Sequence, residues 1–309
     1  MNTPNAAIHS GLAGKFRLDI VSCAEDGTPI PGTERSTGWF DNLITDIGLD
    51  MLGANGGGFL AVCAIGTSNA APLVTDTALG ALTASKAANS YTPGPVDTTE
   101  GFASALATYV FPQGAVVGNM QEIGVGPSAT SLFSRALIRD GAGQPTTLTV
   151  ATIDQLTVVY QLREYPSQVD HVQQLTDSGV TYTVTSRSAY GAYAQRVHYW
   201  ALWGLARNQA CRAYTGALGP WTGGPTGYVG GFEFSALPYT PGTHYRDAKL
   251  TAATTDSNHA SGIRSVVVGE PSYQLTSFLV QAQFDPPIAK DNTKTLEVGF
   301  RFSWARHTP

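Results

Sequence analysis

The sequence predicts a mainly β protein made of two antiparallel β-sandwich-like units with one short helix near its N-terminus. Two observations support this fold class. Apolar and polar residues alternate in several runs, which is typical of half-buried strands. The 34 glycines and 18 prolines are spread along the 309 residues as turn residues. Charged residues make up only 13% of the chain, about half the usual share of roughly 25%, and such a surface suits a protein whose faces are covered by neighbours in an assembly.

The alternating runs are the predicted strands. Phe16, Leu18 and Ile20 fall on one face of the first run, and Leu156, Val158, Tyr160 and Leu162 fall on one face of the longest run. The five runs are 15–20, 147–150, 156–163, 181–185 and 296–304.

Residues 41–52 interrupt this alternation and predict an amphipathic helix. Asp41 or Asn42 is the candidate N-cap and Gly53 the candidate C-cap. The apolar residues at helical spacing are Leu43, Ile44, Ile47, Met51 and Leu52. A second candidate helix covers about 195–212, although its apolar residues follow no single period.

Composition along the chain predicts two domains, 1–166 and 167–309. The polar stretch 168–179 after the long strand is interpreted as the linker between them. In the second domain, residues 216–231 alternate glycine, proline and aromatic residues, which predicts a long loop.

The two halves resemble each other weakly. Residues 156–165 match 296–305 at an offset of 140 (296 − 156), and 123–126 match 266–269 at an offset of 143 (266 − 123). Each half then runs from an apolar strand through a polar turn, at 140–143 or 285–287, to an alternating strand. A duplicated unit is one interpretation; the general likeness of β-hairpins is the other.

Composition and charge exclude several classes of function. The net charge of −5 and the absence of a basic patch argue against nucleic-acid binding. No stretch approaches the roughly 18 apolar residues of a membrane helix, and residues 1–12 lack the pattern of a signal peptide. The spacing of Cys23, Cys63 and Cys211 predicts buried thiols rather than disulfides or a zinc site.

The sequence contains no recognisable catalytic pattern. It has no GxSxG, HExxH, P-loop or EF-hand motif, so we expect a protein that is not an enzyme and needs no cofactor. Asp154, Glu164 and Glu233 could supply a glycosidase pair, but nothing in the sequence brings any two of them together.

Aromatic residues of the second half are the candidate binding residues. Flat rings near polar side chains can stack on sugars or anchor a protein partner. The alternative is that they fill the core and interfaces of the domain. The candidates are Trp200, Trp203, Trp221 and Tyr228.

An ordered series of motifs in residues 39–150 resembles a class of tail proteins of tailed bacteriophages. The matching segments are WFDNLITDIGLD (39–50), AIGTSNAAP (64–72), TDTALG (75–80), IGVG (123–126), LFSRALI (132–138) and PTTLTV (145–150). The ending of the chain, at 285–288 and 296–304, is also similar to the ending of such proteins.

This resemblance implies a structural protein of the virion, made in the host cytoplasm and assembled into the tail. The sequence lacks the heptads or Gly-X-Y repeats of a long fibre shaft. Their absence favours a position at the tail tip, the baseplate or the base of a tail fibre. The implied partners are other phage tail proteins and further copies of the chain, with a trimer as the expected state. A tail module that binds a host receptor or surface glycan is the alternative function.

Overall fold

A computed structural model describes residues 6–54, 58–190, 211–220, 223–268 and 278–308. Strands dominate these residues, and only one helix, of eight residues, is found among them. In chain order the elements are β1 (Ala6–Ser22), β2 (Arg35–Ser36), β3 (Phe40–Asp41), β4 (Leu43–Ile44), α1 (Asp46–Gly53), β5 (Val62–Gly66), β6 (Leu82–Ala87), β7 (Ser90–Asp97), β8 (Phe102–Phe111), β9 (Gly118–Met120), β10 (Glu122–Gly126), β11 (Ser134–Leu137), β12 (Leu148–Val150), β13 (Asp154–Pro166), β14 (His171–Asp177), β15 (Val180–Tyr190), β16 (Cys211–Tyr214), β17 (Tyr228–Ala236), β18 (Tyr245–Ala252), β19 (His259–Val268), β20 (Phe278–Lys290) and β21 (Leu296–Arg306).

One large curled sheet of 14 strands runs through the molecule. Its main path is β14-β15-β20-β19-β16-β17-β18-β21-β1-β13-β8-β7, and β2 and β3 pair with β1 beside this path. β1 pairs antiparallel with β13 and parallel with β21. The two strands that the sequence comparison matched, β13 and β21, therefore lie on either side of β1.

A separate five-stranded sheet has the order β4-β11-β10-β5-β6, and β9 and β12 form a two-stranded sheet. The main core lies between the five-stranded sheet, α1 and the inner face of the large sheet. Phe16, Leu18 and Tyr160 contribute from the large sheet, and Ile65 and Ile123 contribute from the small one. All five side chains are fully buried. The arrangement confirms a mainly β, sandwich-like fold with one short helix.

The predicted strands are confirmed, because each alternating run lies within a strand or overlaps one. The helix is also confirmed, but its predicted start is wrong. Thr45, rather than Asp41 or Asn42, is the N-cap, and Ala54, rather than Gly53, is the C-cap. Leu43 and Ile44 belong to β4, which pairs with β11, so their burial follows from a strand.

Three further expectations need correction. The predicted linker 168–179 contains β14, which forms a hairpin with β15. β17 begins at Tyr228, so the predicted loop 216–231 ends earlier than expected. The predicted turn at 285–287 lies inside β20. The candidate helix 195–212 falls outside the described residues except at its end, where β16 begins.

The division of the chain at residue 166 and the duplication of its halves stay predictions. All three cysteines are buried thiols, as expected. In the described part of the chain, no helix has the length and apolar character needed to cross a bilayer.

Candidate functional site

A long irregular loop, residues 67–81, lies over the outer face of the five-stranded sheet. On this face the sheet presents alternate residues of its strands, among them Ala64 and Glu122. Leu79 of the loop packs with Ala64 and Leu132 in an apolar cluster separate from the main core. The small sheet is therefore covered on both faces.

Glu122 is the centre of the polar contacts that hold this loop. Its buried carboxylate accepts hydrogen bonds from the N–H groups of Ser68, Gly80 and Ala81, at 3.2, 3.0 and 2.7 Å. It also accepts from Nε and Nη2 of Arg135, at 3.0 and 2.8 Å. Both ends of the loop thus converge on one carboxylate.

Arg135 connects Glu122 to the middle of the loop. Its Nη1 lies 2.5 Å from Oδ2 of Asp76, and its Nη2 donates to the carbonyl of Ala70 at 3.0 Å. The same Asp76 oxygen accepts the N–H of Leu73 at 2.8 Å. Because Arg135 is buried, two carboxylates inside the protein compensate its charge, and the loop backbone is fixed at its start, middle and end.

These contacts are suited to positioning rather than to proton transfer. Glu122 and Arg135 satisfy each other, and the loop amides take the remaining carboxylate lone pairs. Gly66 permits the close approach of the loop end at Ala81 to β5. A Cβ at position 66 would lie only 2.3 Å from the carbonyl oxygen of Ala81.

Helix α1 borders the loop. The Thr45 hydroxyl accepts the N–H of Gly48 at 2.9 Å and donates to the carbonyl of Leu132 at 2.8 Å. The N–H of Asp46 donates to the carbonyl of Val74 at 2.7 Å. The start of the helix and the apolar part of the loop therefore form one rigid border.

Several apolar side chains are exposed along this border and form what we term the motif surface. Leu73 is 60% exposed and Trp39 is 41% exposed. A cleft of about 430 Å³ connects the two parts of the surface, because Trp39 and Pro72 both line it, together with Arg139. The motif surface consists of Trp39, Ile47, Pro72, Leu73 and Val74.

Of the predicted binding residues, Trp200, Trp203 and Trp221 lie outside the described residues. Tyr228 is described at the start of β17 and is exposed. The guanidinium of Arg212 lies 5.0 Å from the centre of its ring, and the ring of Tyr214 lies 6.0 Å away in an edge-on arrangement.

Two of the three carboxylates considered for a glycosidase pair lie far apart, and the third differs from them in exposure. Asp154 and Glu164 sit ten residues apart (164 − 154) on β13, or roughly 33 Å at about 3.3 Å per residue. A glycosidase pair needs about 5–10 Å. Glu233 is exposed on β17, whereas Glu164 is buried in the core.

Asp76, Glu122 and Arg135 were not predicted from the sequence as a group. The available signal was a charged residue inside an otherwise apolar strand, at Glu122 and again at Arg135. Across the described ranges, no three His, Cys, Asp or Glu side chains are grouped closely enough to hold a metal ion.

Comparison with known proteins gives no relative: no family model, no curated protein and no solved structure matches the chain.

Proposed function

We propose that this chain is a structural protein of the tail of a tailed bacteriophage. In this role it assembles with neighbouring tail proteins at the tail tip, the baseplate or the base of a tail fibre. In this role the motif surface contacts a neighbouring tail protein.

One observation carries the proposal. The segments that resemble phage tail proteins include Trp39, Ile47 and Pro72 of the motif surface. They also include loop residues 67–72 and 75–80 and most of β10 and β11, the strands that bear Glu122 and Arg135. The resemblance therefore covers three of the five residues of the motif surface and most of the buried contacts beneath them, and Leu73 and Val74 lie directly between two matching segments. A surface already held rigid loses little conformational entropy when a partner binds, and exposed apolar patches are typical of interaction sites.

The test combines virion composition with a surface variant. We expect peptides of the chain in purified virions by mass spectrometry, and we expect Leu73→Glu to reduce its incorporation at least tenfold. Ile153→Glu is the matched control, because Ile153 is also exposed, at 48%, but lies outside the motif surface. Absence from virions contradicts the structural role, and normal incorporation of Leu73→Glu contradicts the assigned contact.

A second candidate is a module that binds a host receptor or glycan. It is favoured by the exposed ring of Tyr228 beside Arg212 and Tyr214, since such groups stack on sugars and anchor partners. Tyr228→Ala and Trp221→Ala are expected to weaken binding on a glycan array and adsorption of virions to host cells. Unchanged adsorption by both variants contradicts this candidate.

A further inference from the structure

The large sheet has two edges of different character. At one edge, β7 contains Pro93 and Pro95, and its pairing with β8 shifts register between Pro93 and Val96. Prolines and irregular register are common means of protecting an edge from other strands. At the other edge, β14 has the sequence HVQQLTD, without proline or lysine.

Within the described ranges, β14 pairs with β15 alone. A regular edge strand presents unpaired N–H and C=O groups along its free side and can accept another strand. Val172 of β14 is 57% exposed, so the side chains of this edge are accessible as well.

The hairpin turn determines which backbone groups point outward. Ser178 and Gly179 both have positive φ, at 51° and 81°, as in a two-residue type I′ turn. Asp177 and Val180 flank this turn and pair with each other, so they form a hydrogen-bonded pair. Because hydrogen-bonded and non-hydrogen-bonded pairs alternate, the odd-numbered residues of β14 bond to β15. The N–H and C=O groups of Val172, Gln174 and Thr176 therefore face outward.

We propose that β14 pairs antiparallel with β14 of a second copy of this chain, about a two-fold axis at Gln174. In this register Gln174 pairs with Gln174 of the partner subunit, and Val172 pairs with Thr176 of the partner subunit. All of these residues have outward-facing backbone groups, so each pair exchanges two hydrogen bonds. The large sheets of the two copies join into one.

The side chains support the same register. It pairs all seven residues of β14, and it places His171 opposite Asp177 of the partner subunit at each end of the contact. These are non-hydrogen-bonded positions, where the Cα atoms are only about 4.5 Å apart. A histidine opposite an aspartate is a favourable cross-strand pair, and so is Val172 opposite a β-branched threonine. A strand whose two ends complement each other is suited to a second copy of itself.

This inference does not depend on the virion role, and it differs from the expected trimer because it specifies a two-fold contact. The first test is a pair of cysteine variants of the full chain under oxidising conditions. Gln174→Cys lies opposite itself at about 5.5 Å between Cα atoms, within disulfide range. Thr176→Cys is the matched control, since its copies lie roughly 13 Å apart along the strands.

We expect Gln174→Cys to form a disulfide-linked dimer on a non-reducing gel and Thr176→Cys to form at least tenfold less. Equal cross-linking of the two variants, or none in either, overturns the proposal.

The second test measures mass by light scattering over a range of concentrations. We expect a dimer for the wild type and for Gln174→Ala, and at least a tenfold weaker dimer for Gln174→Pro. The N–H that proline removes faces outward, so the β14–β15 hydrogen bonds are kept. Circular dichroism of both variants checks that they are folded. A wild type that stays monomeric overturns the proposal, even if it binds a different tail protein through this edge. A Gln174→Pro variant that dimerises with unchanged affinity also overturns it.

Discussion

Two glutamates in the described part of the chain are completely buried, yet their surroundings differ. Glu122 is bound by Arg135 and by three backbone N–H groups. The carboxyl oxygens of Glu164 have no partner in normal hydrogen-bond geometry among the described residues. Burial raises the pKa of Glu164 to about 7, and the nearby Ser10 hydroxyl offsets only part of this rise.

The difference teaches that burial alone does not define the role of a carboxyl group. Glu122 lies where five donors satisfy its charge and hold a loop in place. Glu164 lies on the apolar face of β13, two residues from Leu162 and opposite Leu12 of β1. There the neutral acid is favoured, because a low-polarity site disfavours the charged form.

The largest expected effect comes from removing the partner of Glu122. Arg135→Met leaves a buried carboxylate without its counter-charge, and we expect a loss of about 3–5 kcal/mol in the free energy of unfolding. Denaturation in urea measures this loss. The double variant Glu122→Gln with Arg135→Met is the control, because it removes both charges and should recover part of the stability. A single variant within 1 kcal/mol or so of the wild type would show that the ion pair does not hold the loop.

The next effect concerns the pH dependence of Glu164. Its pKa of about 7 in the folded chain exceeds its ordinary value of 4.5, so the folded state binds more protons between these values. The contribution of Glu164 to stability is therefore complete below about pH 4.5 and is lost as the pH rises to about 7. The expected total loss is about 3 kcal/mol, at about 1.4 kcal/mol for each pKa unit.

Denaturation of the wild type and of Glu164→Gln at a series of pH values tests this expectation. The glutamine is nearly isosteric and does not titrate, so the difference between the two proteins should change with pH only in that interval. Parallel stability curves would show that Glu164 has no raised pKa.

The smallest effect is expected at an exposed carboxylate. Glu297 is 56% exposed and lies 2.9 Å from Nζ of Lys249. Exposed ion pairs contribute about 0–1 kcal/mol, so Glu297→Gln should change the free energy of unfolding by less than about 0.5 kcal/mol. The change should vanish at high salt. A loss comparable to that of Arg135→Met would remove the distinction between buried and exposed pairs.

Four strands of the large sheet, β1, β13, β15 and β21, could be predicted because apolar and polar residues alternate along them. Leu156, Val158 and Tyr160 alternate with more polar neighbours, and this period of two is a local property of the sequence. β15 was predicted, but its hairpin partner β14 escaped prediction because most of its residues are polar, including Gln174, which bonds to Thr183 across the hairpin. Without an apolar face, such a strand has the composition of a loop.

The start of α1 could not be located for a related reason. Leu43 and Ile44 fit helical spacing, but the pairing of β4 with β11 decides their conformation. The contacts of Glu122 were also beyond the sequence, since its partners Ser68 and Ala81 are 54 and 41 residues away. Partners so distant leave no local pattern, although the motifs of the resemblance include several of them.

The parallel pairing of β1 with β21 has a consequence for how the chain folds. Ala6 lies beside Phe300, so residues separated by 294 positions (300 − 6) must meet before the middle of the large sheet is complete. Contacts of such long range form slowly. As the ribosome makes the chain, β2 and β3 can pair with residues 15–20 on this side of β1, but residues 6–12 stay open there until β21 emerges. Other nascent chains can pair with this open segment in place of β21. Correct synthesis in quantity therefore depends on keeping β1 from pairing too early.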